Sequence, residues 1–176
     1  MNPHLRSADL TLLHPLFLEA VQEVFKDLHA LGIPFEPFEA VRSPERQTDL
    51  YAQGRFGQVG PVVTKAKAWE SLHQYGFALD CVPRIDNVWS WDSSGDRAGW
   101  WDKLEQIAPK HGLRTLNFER PHIEWPVAWE DLKAGKYPGG GSDEWAENLA
   151  ATMAAWKASG QVAIVPPPVP ARPGIA

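Results

Sequence analysis

The stretch ESLHQYGFALDC, residues 70–81, sets His73 seven positions before Asp80, an acid flanked by Leu79 and Cys81. In an extended strand Ala78, Asp80 and Val82 share one face, and Phe77, Leu79 and Cys81 share the other. A carboxylate among such neighbours is costly unless it is paired or coordinated. His73 lies just before the strand, beyond Gly76, where a loop can fold it back towards Asp80. One His and one Asp supply two of the roughly three protein ligands that a catalytic zinc needs beside an open position for water. The segment NFERPHIEW offers a third, His122, and Glu119 precedes it by three residues. Glu119 can stand near a metal without binding it and act as a base, which is what a zinc hydrolase requires.

Blander readings stand beside this one. A lone histidine is more often structural than a ligand, and Arg42 or Arg84 can neutralise Asp80 in an ordinary ion pair. Alternation turns Cys81 away from Asp80, as a core residue. His111 falls at a helix C-terminus, where a cation is favoured without any chemistry. His4, His14 and His29 have no partner pattern.

The elements that must position these residues can be read along the chain. Residues 15–31 are apolar at Phe17, Val21, Val24, Phe25, Leu28 and Leu31, which is helical spacing, and Gly32 and Pro34 close the segment. A short strand is expected at FEAVR (38–42), with Phe38, Ala40 and Arg42 on one face. Ser43 is the expected N-cap of a helix that has Pro44 at its first position and Gly54 as its stop. RFGQVGPVVTKAK reads as a glycine-rich loop, and GFALDCVPR (76–84) as a strand ended by its proline. A helix at 97–111, strands at GLRTL and PHIEW, and a short helix at VAWEDLKAG complete this part of the chain. The mixture of helices with short strands, and no regular βαβ alternation, predicts an α+β fold with a small, mostly antiparallel sheet flanked by helices.

Residues 1–137 form the first expected unit, and 138–176 add a glycine linker, a C-terminal helix and a proline-rich tail. Ser142 or Asp143 caps that helix, whose Trp145, Leu149, Met153 and Trp156 form an apolar stripe expected to fold back on the first unit. The tail VPPPVPARPG reads as polyproline-like and unpacked.

Composition removes several function classes. The chain has 176 residues and a net charge of −5 without long runs of either sign, which argues against nucleic acid as a partner. Cys81 is the only cysteine, so no intramolecular disulfide can form. The N-terminal MNPHLRSADLTLLHPLF lacks a signal-like apolar run, and nothing approaches the roughly 20 apolar residues of a membrane span. The expectation is a monomer made in the cytoplasm, with no membrane insertion.

Three segments together carry a family resemblance. SLHQYGFALD resembles the S-x-H-x-x-G-x-A-x-D signature of the zinc D-alanyl-D-alanine carboxypeptidases and L-alanyl-D-glutamate endopeptidases, the VanY-like family. VRSPERQTDLYAQGR resembles the R-S-x-x-R-Q-x-x-L-Y-x-Q-G-R segment of its phage endolysin branch, and ERPHIEW resembles its acid-x-x-His motif. The resemblance implies His73, Asp80 and His122 as zinc ligands, Glu119 as general base and Arg42 as the arginine that stabilises the oxyanion. Ser71 and Gln47 take supporting positions. Two departures stand out: Glu119 where the endolysin branch more often has Asp, and RTLNF in place of a W-G-G stretch. Glu124 is a rival base, because period two puts it on the strand face of His122.

The function implied by the resemblance is that of an endolysin. It would hydrolyse the L-alanyl-D-glutamate bond in the stem peptide of bacterial peptidoglycan, reaching the wall after release during phage lysis. The alternatives are a D-alanyl-D-alanine carboxypeptidase and a wall-binding module without catalysis.

Overall fold

The computed structural model describes residues 2–160 and 163–171. Its centre is a sheet in the order β1 (Phe35–Glu39), β2 (Ala78–Ile85), β5 (Glu119–Glu124), β4 (Arg114–Leu116), with β3 (Val88–Trp89) paired to the far end of β2. Every pairing is antiparallel. The architecture is therefore α+β with a small antiparallel sheet.

Helix α1 (Pro15–Ala30) forms where the 3.6-residue spacing predicts it, and buries Phe17, Val21, Val24, Phe25 and Leu28. It packs beside α3 (Ala98–Ile107), which turns its Trp101, Leu104 and Ile107 inward. Trp101 meets Phe35 of β1 edge-on at 5.1 Å, so these helices cover the sheet face that carries Leu79 and Cys81. The first six residues of β2 are all buried. Asp80 thus lies inside the molecule on the sheet's other face, in the row that the alternation assigns it.

Two sequence expectations for strands need correction. The first strand is Phe35–Glu39, not 38–42, because its register runs from Phe35 opposite Pro83 to Glu39 opposite Asp80, with a bulge between Pro37 and Glu39. The chain then leaves the sheet. Ala40 donates its N–H to Ser7 O at 2.7 Å, and Arg42 donates its own to His73 O at 3.1 Å. Nor does Pro83 end β2, which continues to Ile85. A proline lacks only the donor, and its carbonyl still accepts from the Ser90 N–H at 2.9 Å.

The Ser43 cap forms as expected: its hydroxyl accepts from Arg46 N at 3.0 Å, and α2 (Pro44–Ala52) begins there. The helix expected at 97–111 is α3 continued by a 3-10 turn, Ala108–His111, and His111 pairs with Asp27 of α1 at 2.8 Å. Helix α4 (Trp129–Lys133) is a single short element.

Helix α5 (Asp143–Ala158) starts at Ser142, whose hydroxyl accepts from Trp145 N at 3.1 Å. Its Trp145, Leu149, Met153 and Trp156 are buried. Trp145 donates its ring N–H to Tyr75 O at 2.9 Å, and its ring stands edge-on to His14 and Phe77. The tail is not unpacked over its described part, 163–171. Pro167 and Pro170 are buried, Pro168 O accepts from the Tyr137 hydroxyl at 2.7 Å, and Ile164 O accepts from the Trp156 ring N–H at 2.9 Å. Prolines keep a free carbonyl, so even a polyproline segment can be tied down by donors such as these. Among the described residues no helix is long and apolar enough to cross a membrane.

Candidate metal centre

Asp80 and His122 are direct cross-strand partners on β2 and β5, and Glu39 of β1 is the partner of Asp80 on the other side. Register alone therefore sets Glu39, Asp80 and His122 in one row on one face of the sheet. His73 comes in from above, on the 3-10 turn Leu72–Tyr75. That turn is closed at its start by Gln74, whose carboxamide oxygen accepts from Ser71 N at 3.3 Å. At its end Gly76 adopts φ +76°, and a Cβ there would lie 2.9 Å from Leu12 O and 3.1 Å from His14 N. Only glycine allows so tight a return, and the return delivers His73 over Asp80.

The ligand atoms of His73, Asp80 and His122 lie within 4.8 Å of one another, and all three residues are buried. Asp80 Oδ1 is 3.4 Å from His73 Nε2 and 3.2 Å from His122 Nδ1, and the two ring nitrogens are 3.3 Å apart. The outer nitrogens decide the tautomers. His73 Nδ1 is 2.8 Å from Ala40 O, which only accepts, so Nδ1 carries the proton. His122 Nε2 is 3.0 Å from Glu124 Oε2 and donates to that carboxylate. In neutral rings this leaves His73 Nε2, His122 Nδ1 and Asp80 Oδ1 as three acceptors aimed at one small volume. Three converging acceptors repel one another unless a cation sits among them. The residues fit a divalent metal, and two nitrogens with one oxygen is a donor set that suits zinc.

Burial lowers the His122 pKa, but the bonds to Asp80 and Glu124 outweigh it and raise the ring to about 9. Burial likewise pushes the Asp80 carboxyl up. The charge of His73 and the hydrogen bonds from both histidines overcome this and hold Asp80 well below the usual carboxylate range.

Arg42 does reach Asp80, as one of the blander readings has it, with Nη2 at 3.1 Å from Oδ2. It leaves Oδ1 to the histidines, so ion pairing and metal binding use different oxygens of one carboxylate. Arg84 is elsewhere, paired with Glu36 at 3.1 Å. The guanidinium of Arg42 also holds Glu39, through Nε at 3.1 Å and Nη2 at 2.7 Å, and donates from Nη1 to Gln47 Oε1 at 3.0 Å. Glu39 is buried, and it is a site residue that sequence reasoning misses. Burial raises its carboxyl pKa, but the charge and hydrogen bonds of Arg42, with help from His73 and Arg46, bring it below its ordinary value. An acid two residues before an apolar bend is weak as a signal; the three-strand register is what reveals it.

Glu119 and Glu124 both line a cavity of about 790 Å³ that also takes in His73, His122 and Arg42. Their situations differ. Glu124 is engaged twice, with His122 and with Arg114 at 2.9 Å. Glu119, at the start of β5, makes no hydrogen bond or ion pair with its carboxylate among the described residues, although its charge acts on His122. Ser71 also lines the cavity. Gln47 stands behind Arg42 and is wholly buried. The RTLNF segment forms β4 and the turn into β5, and puts Phe118, 85% exposed, on the cavity rim. Cys81 is buried and donates its thiol to Pro121 O at 3.5 Å, away from the cluster.

A Bacillus subtilis (strain 168) protein, the peptidoglycan L-alanyl-D-glutamate endopeptidase CwlK, is 32% identical over 124 residues, covering 69% of this chain and 69% of its own length. Among solved structures, the Serratia marcescens L-Ala D-Glu endopeptidase ChiX shares the fold with a TM-score of 0.52 at 16% identity, over 73% of this chain and 94% of that one. The LdcB LD-carboxypeptidase, 63% of whose chain is covered, gives a TM-score of 0.49 at 19% identity over 70% of this chain. Residues 11–130, from the turn before α1 to α4, match the family described as VanY: D-alanyl-D-alanine carboxypeptidase. The chain belongs to the VanY D-alanyl-D-alanine carboxypeptidase family.

Proposed function

We propose that this protein is a zinc-dependent peptidoglycan peptidase that hydrolyses the L-alanyl-D-glutamate bond of the stem peptide. The observation that carries the reading is the buried cluster of His73, Asp80 and His122, whose two histidines line an open cavity and have their outer N–H groups already anchored. The choice of bond rests on the Bacillus relative, together with the RQTDLYAQGR stretch. The family's own description supports a second reading, a D-alanyl-D-alanine carboxypeptidase using the same site.

His73, Asp80 and His122 are the ligands. When bound, zinc supplies a Lewis acid that polarises the scissile carbonyl and acidifies a water. Glu119 accepts the proton released by that water and delivers it to the leaving amine; its carboxylate is uncommitted and opens onto the cavity. Arg42 keeps one Nη1 hydrogen beyond its bonds to Glu39, Asp80 and Gln47. That hydrogen, on a group that stays charged, is suited to the oxyanion of the tetrahedral intermediate. Ala40 O and Glu124 keep the two imidazoles in the tautomers that present lone pairs to the metal.

We further infer that it acts as a monomeric endolysin, reaching the wall during phage lysis. A wall-binding module would have no use for an intact ligand set with a free carboxylate beside it.

Digestion of purified peptidoglycan, with the fragments identified by mass spectrometry, tests the bond directly. New D-glutamyl amino termini are expected; release of free D-alanine instead would select the carboxypeptidase reading. Elemental analysis should find stoichiometric zinc in the wild type and little in His73→Ala, Asp80→Ala or His122→Ala. Full zinc in all three folded variants would end the ligand assignment.

A further inference from the structure

Among the described residues three Arg and Lys side chains line the cavity: Arg42, Arg114 and Lys65. Arg42 is held by Glu39, Asp80 and Gln47, and Arg114 by Glu124 and by Val127 O at 2.7 Å. Lys65 differs from both. Its side chain is exposed and makes no hydrogen bond or ion pair among the described residues.

Its backbone is nevertheless fixed. The buried Gln47 donates from Nε2 to Ala66 O at 2.7 Å, and the Thr64 hydroxyl accepts from Ala66 N at 3.2 Å. Gln47 is the same residue that accepts from Arg42 Nη1. One buried carboxamide therefore ties the Lys65 segment to the guanidinium beside Asp80. A lysine whose backbone is anchored and whose ammonium is unclaimed among the described residues is placed to bind an anion entering the cavity.

The chemistry of the substrate supplies that anion. The two candidate bonds share one feature: the leaving amine sits on a D-configured carbon that also bears a free carboxylate. In the stem peptide D-glutamate continues through its γ-carboxyl, which leaves the α-carboxylate free; in the other case the carboxylate is the chain terminus. Either way it lies one carbon from the scissile nitrogen and must enter the cavity with it. Glu70, Glu119 and Glu130 line the same cavity, so a carboxylate meets repulsion there unless a cation receives it.

We propose that Lys65 receives this α-carboxylate and makes the enzyme selective for a free acid over its amide. The inference rests on the peptidase reading and names the residue that sets its selectivity.

The test uses four synthetic substrates: the L-alanyl-D-glutamyl stem peptide and D-alanyl-D-alanine peptide, each with the relevant carboxyl free or as a primary amide. Wild-type zinc enzyme, Lys65→Met and Lys65→Arg are compared. On whichever bond is cut, the wild type should favour the acid by roughly tenfold in kcat/KM. In Lys65→Met the ratio should fall towards one, chiefly through a higher KM for the acid, and Lys65→Arg should restore most of it. Selectivity should also weaken with added salt, because the ammonium is exposed. An acid-to-amide ratio in Lys65→Met equal to that of the wild type overturns the assignment while leaving the peptidase reading intact. Failure of the wild type to cut any of the four overturns the peptidase reading and this inference with it.

Discussion

Replacing Glu124 by Gln separates the two carboxylates that compete for the role of base. In the structure Glu124 Oε2 accepts from His122 Nε2 at 3.0 Å, and its other oxygen pairs with Arg114 at 2.9 Å. Glutamine keeps the shape and one carbonyl acceptor but loses the charge. The His122 ring then becomes a weaker donor to the metal, and nothing compels its Nε2 to hold the proton. Loss of a partner of this kind costs about 10- to 100-fold in metal affinity, or about 1.4 to 2.7 kcal/mol. Glu119→Gln removes no hydrogen bond from a ligand, only a charge that acts weakly on His122. Its metal affinity should stay at the wild-type value while turnover falls by roughly a hundredfold or more, the share that a general base supplies. The assay is a competition titration against a chromophoric chelator, with kcat measured at saturating zinc. At saturation Glu124→Gln should recover most of its rate and Glu119→Gln should not. A Glu124→Gln protein that binds zinc as the wild type does and is inactive would refute the reasoning, and would make Glu124 the base.

Three further perturbations act on named contacts. Arg42→Lys keeps the charge but loses the planar fork between Glu39 and Asp80, so kcat should fall more than substrate affinity; an unchanged kcat removes Arg42 from the chemistry. His14 is wholly buried and stacks on Phe77 at 4.6 Å; burial lowers its pKa to about 4, outweighing a hydrogen bond with the Pro138 backbone that raises it. A lowered histidine pKa leaves stability whole above the unfolded value near 6.5 and removes it as the pH falls towards about 4, by at most about 3 kcal/mol. Denaturant titrations across that window should show a steeper loss for the wild type than for His14→Phe, and parallel curves would contradict the assignment. Truncation after Gly139 removes the helix that buries Trp145, Leu149, Met153 and Trp156 and ties Trp145 to Tyr75 O, two residues beyond His73. The melting temperature and the activity on a small soluble muropeptide should fall together, and a truncated protein that keeps both would show the helix to be dispensable.

Much of the candidate site is legible in the sequence because its signals are local. Gly76 at a tight return, Ser43 before Pro44 and Ser142 before the last helix each act within a few residues, so the sequence states them directly. The apolar spacing of α1 is likewise a property of that segment alone. The first strand is misplaced by sequence for the opposite reason. FEPFE and FEAVR both alternate plausibly, and only pairing with β2 selects Phe35–Glu39. Glu39 is missed with it, since its place beside Asp80 exists only once that register is set. The tail reads as unpacked because its composition says nothing about Tyr137 and Trp156, the donors that hold its carbonyls.

By itself, the sequence determined which residue types stand ready for metal chemistry: His73 and Asp80 around a glycine return, His122 with Glu119 three residues before it, and Arg42 ahead of a capped helix. These rest on short-range geometry and on the chemistry of single side chains. The tertiary structure decided the rest. It set Asp80 opposite His122, brought Ala40 O to His73 Nδ1, and turned Glu124 onto His122 Nε2, which leaves Glu119 as the uncommitted one of the two rival acids among the described residues. Each of these pairings joins groups from separate elements or depends on how a strand is seated in the sheet. A proton's position on an imidazole, and a carboxylate's freedom to act, depend on what lies within about 3 Å of them, and only the folded chain brings those partners together.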